Sequence, residues 1–133
     1  MRGSNDTAKA PESSKIVLVV EDNVALAALV RVQLDLLGYA TIAAGTADDA
    51  LRVLQSDTRI DLLFSDIRLP GTIDGRSLAQ MAADLRPGLP CLLTTGYEEL
   101  DAPARRATAH LPVLPKPFRR SDLAEAVREA LAG

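Results

Sequence analysis

Apolar residues alternate along the chain between short continuous runs and longer stretches with helical spacing. The runs are typical of buried strands in a parallel sheet, and they cover residues 16–20, 39–44, 60–65, 91–95 and 111–114. Helical spacing of apolar residues follows each run, over residues 26–37, 47–54, 78–85, 98–108 and 123–131. Five strands alternating with five helices predict right-handed βαβ crossovers and a doubly wound parallel α/β sheet covered on both faces.

The same spacing predicts which helical side chains face the core. The expected stripe of the first helix, which Gly38 ends, comprises Leu26, Leu29, Val30, Leu34 and Leu37, and that of the third comprises Leu78, Met81, Ala82 and Leu85. Residues 98–108 have the thinnest stripe and include Pro103. Pro112 lies in the last predicted strand, which is expected at an edge of the sheet because proline donates no ladder hydrogen bond.

The composition of the chain excludes several classes of protein. The 133 residues suit one domain, and the single cysteine, Cys91, excludes an internal disulfide. A net charge of −3 and an aromatic content of 3% argue against a nucleic-acid-binding protein. No apolar run approaches the roughly 20 residues that span a bilayer. Residues 1–14 lack the apolar core of a secretory signal, so we expect a flexible N-terminal lead, one domain over residues 15–133 and a cytoplasmic location.

Polar residues with chemical potential follow the predicted strands. Ligands of doubly wound sheets bind at the carboxyl ends of the strands. Glu21 and Asp22 follow the first strand, Asp66 follows the third, Thr95 ends the fourth and Lys116 comes shortly after the fifth. The topology therefore predicts that three carboxylates, one hydroxyl and one ammonium group converge on one edge of the sheet.

The charges of this group indicate phosphoryl chemistry. Three neighbouring carboxylates repel one another, and a hard divalent cation such as Mg²⁺, with its preference for carboxylate, water and phosphate oxygens, would relieve that repulsion. With Mg²⁺ and Lys116 present, the site would be formally neutral and could accept an anionic phosphoryl group. A carboxylate can act as the nucleophile and form an aspartyl phosphate, which the cation and the ammonium group would stabilise.

Several motifs in this order resemble the receiver domain of bacterial two-component response regulators. They are Val20-Glu21-Asp22-Asn23, Ser65-Asp66-Ile67-Arg68-Leu69-Pro70-Gly71, Asp74-Gly75, Thr95-Gly96 and Leu114-Pro115-Lys116-Pro117-Phe118. The resemblance runs from about Ile16 to Leu131 and implies a flavodoxin-like, CheY-like fold with strand order 2-1-3-4-5.

The resemblance implies a role for each matching residue. Asp66 corresponds to the phosphoryl acceptor, Asp22 to the principal Mg²⁺ carboxylate and Glu21 to the second acidic residue. The backbone carbonyl of Arg68 corresponds to the third protein ligand of the metal ion.

It also implies roles for Thr95 and Lys116. Thr95 corresponds to the switch hydroxyl, and Lys116 to the lysine that contacts a phosphoryl oxygen and is usually joined to the next proline by a cis bond.

Two departures concern the output switch rather than the phosphorylation chemistry. The loop over residues 69–75 is one residue longer than its commonest form, and Val113 stands where many relatives carry an aromatic residue.

A receiver implies protein partners. The expected phosphoryl donor is a histidine kinase or a histidine phosphotransfer protein, and the only catalysis expected is of the chain's own phosphorylation and dephosphorylation. Because the chain ends at Gly133, soon after the last predicted helix, we expect the phosphorylated state to be read out by protein contact. The expected contact surface comprises the helices over residues 98–108 and 123–131, near Arg105, Arg106, Arg119 and Arg120. Neither nucleic acid nor a membrane is an expected partner. A receiver belonging to a hybrid histidine kinase is the main alternative.

Other interpretations compete with this one. A haloacid-dehalogenase-type phosphatase also uses a nucleophilic aspartate, but it needs a second acid at the position of Arg68. A receiver-like domain that binds partners without phosphorylation usually lacks the acceptor or an acidic residue, and none is missing here. Glu21 and Asp22 could instead cap the following helix. Cys91 is expected to be an inert core thiol, and His110 a solvated loop residue.

Overall fold

The computed structural model of the chain describes residues 14–96 and 111–132. Within these ranges the order of elements is β1 (Ile16–Val20), α1 (Val24–Leu36), β2 (Ala40–Ala44), α2 (Ala47–Gln55), β3 (Leu62–Asp66), α3 (Gly75–Leu85), β4 (Cys91–Thr95), β5 (Val113–Pro115) and α4 (Arg120–Ala132). The helix predicted over residues 98–108 lies outside the described residues, as do Tyr97, His110 and all of the predicted N-terminal lead except Ser14. No helix of the described ranges is long and apolar enough to cross a membrane.

The five strands form one parallel sheet in the order β2-β1-β3-β4-β5, which confirms the predicted architecture. The bounds of three strands differ from the prediction, and β2 begins one residue later than expected, at Ala40. β3 begins at Leu62 and ends on Asp66, so the acidic residue belongs to the strand. β5 is an edge strand, as expected, but it begins at Val113, and Pro112 lies just before it with its carbonyl accepting the Leu93 N–H at 3.0 Å.

Alternate side chains of β1 supply two separate cores. Val17 and Val19 pack on one face of the sheet in a cluster that includes α1 and α4, and Leu18 and Val20 pack on the other with α2 and α3. All four side chains are at most 1% exposed. A strand between two helical layers is apolar on both faces, which explains its continuous apolar run.

Three helices begin at side-chain caps. The residue before each of α1, α2 and α3 accepts, through its side-chain oxygen, the backbone N–H three positions later. These pairs are Asn23 with Leu26, Thr46 with Asp49, and Asp74 with Ser77. The alternative in which Glu21 or Asp22 caps α1 is therefore wrong. The Glu21 carboxylate instead accepts the N–H of Asn23 at 3.0 Å.

The predicted core stripes of α1 and α3 are only partly right. In α1, Val30 and Leu34 are buried, but Leu29 is 53% exposed and Leu37 lies beyond the end of the helix. Apolar residues occur nearly all round α1, so spacing alone could not select the buried side. In α3, Met81 and Leu85 are also exposed, and the small side chains of Ala79 and Ala82 face the core with Leu78.

The Arg86 side chain joins the C-terminal ends of α2 and α3. Its Nε donates to the carbonyl of Leu54 at 3.1 Å, and its Nη2 donates to those of Val53 at 3.3 Å and Ser56 at 2.9 Å. These carbonyls lie at the end of α2, where backbone carbonyls run out of helical N–H donors, although the Val53 carbonyl also accepts the Ser56 N–H at 3.1 Å. A cation at a helix C-terminus also interacts favourably with the helix dipole.

We expect Arg86→Ala to lower the free energy of unfolding by about 1.5–3 kcal/mol, the range for hydrogen bonds to a charged group. Urea unfolding followed by circular dichroism measures this change. Arg52→Ala is the matched control because Arg52 pairs with Asp49 on an exposed surface of α2, and it should cost under about 0.5 kcal/mol. Equal losses in the two variants would contradict the bridging role of Arg86.

Candidate functional site

Three carboxylates lie together at the carboxyl edge of the sheet. Glu21 and Asp22 directly follow β1, and Asp66 ends the neighbouring strand β3. Each offers a carboxylate oxygen within 4.8 Å of those of the other two. Glu21 and Asp66 are buried, whereas Asp22 is exposed. The predicted convergence of these residues is therefore observed.

Lys116 connects this acidic cluster to the far edge of the sheet. Its Nζ donates to Asp66 Oδ2 at 2.7 Å and to Glu21 Oε1 at 3.2 Å. Its backbone N–H donates to the Thr95 carbonyl at 2.7 Å, and its bond to Pro117 is cis, as the resemblance implied. One ammonium group thus bridges carboxylates from two strands while its backbone is fixed to a third.

Burial and neighbouring charges shift the pKa values of two members of the site. Burial raises the pKa of Glu21, and the nearby Asp66 charge adds to this, against the opposing effects of the Asn23 N–H and Lys116. Burial alone would lower the pKa of Lys116, but the hydrogen bond and charge of Asp66, together with Glu21, raise it overall. Lys116 therefore stays charged at neutral pH and compensates part of the negative charge of the site.

Thr95 provides a buried hydroxyl at the end of β4. Its side chain is 1% exposed, and Oγ1 has no hydrogen-bond partner within residues 14–96 and 111–132. The preceding hydroxyl, of Thr94, donates to the Leu114 carbonyl at 2.7 Å. A buried hydroxyl without a partner costs free energy, so an acceptor that reached Thr95 would be bound favourably.

The loop after β3 forms one wall of an open cleft beside Asp66. The backbone N–H of Arg68 donates to Asp66 Oδ1 at 3.1 Å, which fixes the second oxygen of that carboxylate. The cleft has a volume of about 520 Å³, and its charged lining residues are Asp22, Asp66, Arg68, Asp74 and Arg76. Both signs of charge therefore line the open space beside Asp66.

The donor set fits a hard divalent cation. Oxygen ligands and a surplus of negative charge are what Mg²⁺ prefers, and an exposed carboxylate such as Asp22 leaves room for the waters that this ion retains. The predicted ligand set has one member that is not a carboxylate, the carbonyl of Arg68, and this residue lies two positions beyond Asp66 and lines the same cleft.

Comparison with known proteins assigns the chain to a family. It belongs to the response regulator receiver domain family, whose model matches residues 17–128. The match confirms the resemblance seen in the motifs and favours it over a haloacid-dehalogenase-type phosphatase. Receiver domains are signalling domains of two-component systems, and an acidic Mg²⁺-binding pocket is a property of the family.

Individual relatives agree with this assignment. The transcriptional regulatory protein GlrR of Escherichia coli K12 is 30% identical over 116 residues, which cover 86% of this chain and 26% of GlrR. The chain therefore spans about a quarter of the length of that relative. A CheY-like receiver domain protein from Methanospirillum hungatei JF-1 superimposes with a TM-score of 0.81 at 29% identity, covering 90% of this chain and 95% of that one. The receiver domain of the hybrid histidine kinase CckA has a TM-score of 0.72 at 30% identity, covering 87% and 98%.

The sequence predicted the charged residues of the site but missed its backbone supports. Asn23 and Gly75 were part of the quoted motifs, yet their roles as the donor to Glu21 and as the first residue of α3 follow only from the structure. A glycine directly after the Asp74 cap was the available signal, because glycine is unfavourable inside a helix unless its small size is needed.

Cys91 is the first residue of β4, and its half-buried side chain packs against buried apolar residues, while its assignment as an inert thiol stays a prediction. Burial raises its pKa from 9.0 to about 12, so the reactive thiolate is very rare at neutral pH. We expect iodoacetamide to alkylate the native chain at pH 8 at least about 100-fold more slowly than the chain unfolded in urea. Mass spectrometry of timed samples measures both rates, and similar rates would contradict the inert assignment.

Proposed function

We propose that this receiver accepts a phosphoryl group on Asp66 from a phosphohistidine of a histidine kinase or a histidine phosphotransfer protein, and that it signals through protein contacts. The observation that carries the proposal is the position of the Asp66 carboxylate. One of its oxygens accepts from Lys116 Nζ at 2.7 Å and the other from the Arg68 N–H at 3.1 Å, at the base of an open cleft. A carboxylate fixed in this way is oriented for attack rather than free to rotate.

The proposed reaction is a direct displacement. A carboxylate oxygen of Asp66 forms a bond to phosphorus, the bond between phosphorus and the donor imidazole nitrogen breaks, and the imidazole keeps that electron pair and takes up one proton. No water takes part in this step. Lys116 already contacts Asp66, so its ammonium group needs little movement to donate to a phosphoryl oxygen and stabilise the charge that develops there.

The remaining residues have complementary roles in this proposal. Glu21 and Asp22 would hold Mg²⁺ together with Asp66 and the Arg68 carbonyl, and the ion would neutralise charge on the phosphoryl oxygens. The Thr95 hydroxyl, buried and without a partner in the described part of the chain, would donate to a phosphoryl oxygen once one is present. That new hydrogen bond would link the acceptor to the segment after β4.

The proposal is tested by locating the phosphoryl group chemically. The chain is incubated with Mg²⁺ and a phosphorylated histidine phosphotransfer protein, and is then reduced with borohydride, which converts an aspartyl phosphate to homoserine. Peptide mass spectrometry should place the change at residue 66. Phosphotransfer that leaves residue 66 unreduced and another residue modified would overturn the assignment.

The outward face of α1 is the surface we propose for the phosphoryl donor. Val24, Leu29, Val32 and Leu36 are large apolar residues that are 82%, 53%, 56% and 63% exposed. α1 begins two residues after Asp22, so its exposed face is continuous with the site that a donor protein must reach. A contiguous exposed apolar surface is typical of a protein-binding site.

We therefore expect Leu29→Lys to lower kcat/KM for phosphotransfer from the histidine protein by about tenfold, as for a typical interface anchor. Labelling by acetyl phosphate, which needs no protein docking, should change by less than about twofold. Met81→Lys is the matched control, since Met81 is an exposed apolar residue of α3 on the other face of the sheet. An equal decrease with both donors would contradict docking on α1.

We also propose the surface through which the receiver contacts downstream proteins. It includes β5, α4 and residues 98–108, and two exposed arginines, Arg119 and Arg120, lie on the part of it that the structure describes. The similarity to the receiver of CckA supports the alternative that the chain acts as the receiver of a hybrid histidine kinase. We propose a cytoplasmic location in either case, because the donor proteins present their phosphohistidines there.

A further inference from the structure

Gly75, the first residue of α3, lies directly on the backbone of the acceptor strand. A Cβ atom at this position would be 2.1 Å from the Asp66 carbonyl oxygen and 2.7 Å from the Ile67 Cα. The Gly75 N–H also donates to the Ile67 carbonyl at 2.7 Å. Any residue other than glycine would therefore force α3 away from the end of β3, or would force the backbone of β3 to move.

This contact fixes one side of the peptide that follows the acceptor. On the other side, the Ile67 N–H donates to the Thr94 carbonyl of β4 at 2.9 Å, and Ile67 is only 4% exposed. The next N–H, of Arg68, donates to the Asp66 carboxylate. The direction of that carboxylate therefore depends on a backbone segment held between β4 and α3.

We propose that Gly75 is a positioning residue for phosphoryl transfer: by allowing α3 to approach the backbone of Asp66 and Ile67, it sets the orientation of the Asp66 carboxylate. The inference rests on the proposed acceptor role of Asp66. A misplacement of about 1 Å between reacting groups can lower a rate by about 100-fold, and the contact at Gly75 leaves no room for a side chain without a shift of that size.

Two other glycines serve as controls. Gly45 follows β2 at the same edge of the sheet, and an added Cβ would meet nothing within 4 Å. Gly71 lies in the loop between β3 and α3 and has a φ of +90°, so alanine there strains the loop without touching Asp66. The three alanine variants therefore separate contact with the acceptor strand from loop strain and from loss of a glycine in general.

The experiment measures the rate of Asp66 phosphorylation by phosphoramidate at saturating Mg²⁺, per folded molecule, alongside urea unfolding of each variant. Gly75→Ala should reduce this rate by about tenfold or more and shift the NMR signals of residues 66–68. Gly45→Ala should stay within about twofold of the native rate, and Gly71→Ala should lose stability with little change in rate. A native rate in folded Gly75→Ala would overturn the inference.

A pair of variants at Asp74 covers the case in which Gly75→Ala does not fold. Asp74 caps α3 by accepting the Ser77 N–H at 2.8 Å, so Asp74→Ala should loosen the first turn of the helix and slow phosphorylation without adding an atom near Asp66. Asp74→Asn loses the same charge from the lining of the cleft but keeps the cap, so it should be phosphorylated faster than Asp74→Ala. Equal rates for the two variants would contradict positioning by α3. If the native chain itself is not phosphorylated on Asp66, the proposed function fails first, which is a distinct result.

Discussion

Asp66→Asn should abolish phosphoryl labelling of the chain, both by a phosphorylated histidine protein and by acetyl phosphate. The amide has almost the same shape as the carboxylate but lacks the negative oxygen that attacks phosphorus. The substitution also removes the charge partner of Lys116, whose Nζ lies 2.7 Å from Asp66 Oδ2. The loss is measured with donors that carry a radioactive phosphoryl group, followed by gel electrophoresis at neutral pH. Labelling should decrease by more than about 1000-fold and reach the detection limit.

The matched control is Asp61→Asn, which makes the same change just before the start of β3. The Asp61 carboxylate accepts the Ile16 N–H at 2.8 Å and lies far along the strand from the cleft. This variant should lose about 1 kcal/mol of stability and keep its labelling rate. An acid-stable label on Asp66→Asn would show that another residue accepts the phosphoryl group.

The topology of the site was predictable because strand ends are prominent in the sequence. Continuous apolar runs identify buried parallel strands, and the polar residues directly after them must meet at one edge of the sheet. Glu21, Asp66 and Lys116 are 45 or more residues apart in sequence, yet the fold brings both carboxylates within hydrogen-bonding distance of the Lys116 ammonium group. The charges of these residues then indicate the chemistry.

The packing of the helices was less predictable from spacing alone. Leu29 satisfies a core stripe as well as Val30 does, but only Val30 is buried, because α1 is apolar on both sides and the sheet covers one of them. Ala79 and Ala82 face the core in place of Met81 since small side chains allow α3 to approach the sheet closely. Such choices depend on distances between elements, which a linear pattern does not contain.

The backbone supports of the site could not be predicted for a similar reason. Asp74 and Gly75 are ordinary turn and cap residues in the sequence. The contact of Gly75 with Asp66, and the lack of a partner for the buried Thr95 hydroxyl in the described ranges, appear only in the folded structure. Val113, where the family often carries an aromatic residue, packs against the small cluster of Ile67, Ala79 and Leu93. It thus links the edge strand to the acceptor loop through aliphatic contacts.

Removing the exposed carboxylate of the cluster should weaken Mg²⁺ binding strongly. Asp22→Asn deletes one of the three carboxylates that lie within 4.8 Å of one another, and Asp22 is the member most accessible to a hydrated ion. We expect the Kd for Mg²⁺ to rise by about 10- to 100-fold, measured by titration of the backbone NMR signals of residues 21, 22 and 66. Asp84→Asn, on the exposed side of α3, should leave the Kd unchanged.

Lys116→Met should have the opposite effect on Mg²⁺ binding, and it separates cation binding from phosphoryl transfer at the site. The Lys116 ammonium group competes with a cation for the same carboxylate oxygens, at 2.7 Å from Asp66 and 3.2 Å from Glu21. Without it, the cluster is more negative by one charge, so its attraction for a cation increases and the Kd for Mg²⁺ should fall by at least about fivefold. Phosphorylation of Asp66 should nevertheless slow by about 100-fold or more, because no ammonium group remains to stabilise the phosphoryl oxygens. Tighter Mg²⁺ binding with slower phosphorylation would show that Lys116 acts on the phosphoryl group, and weaker Mg²⁺ binding in this variant would contradict the competition between the ammonium group and the ion.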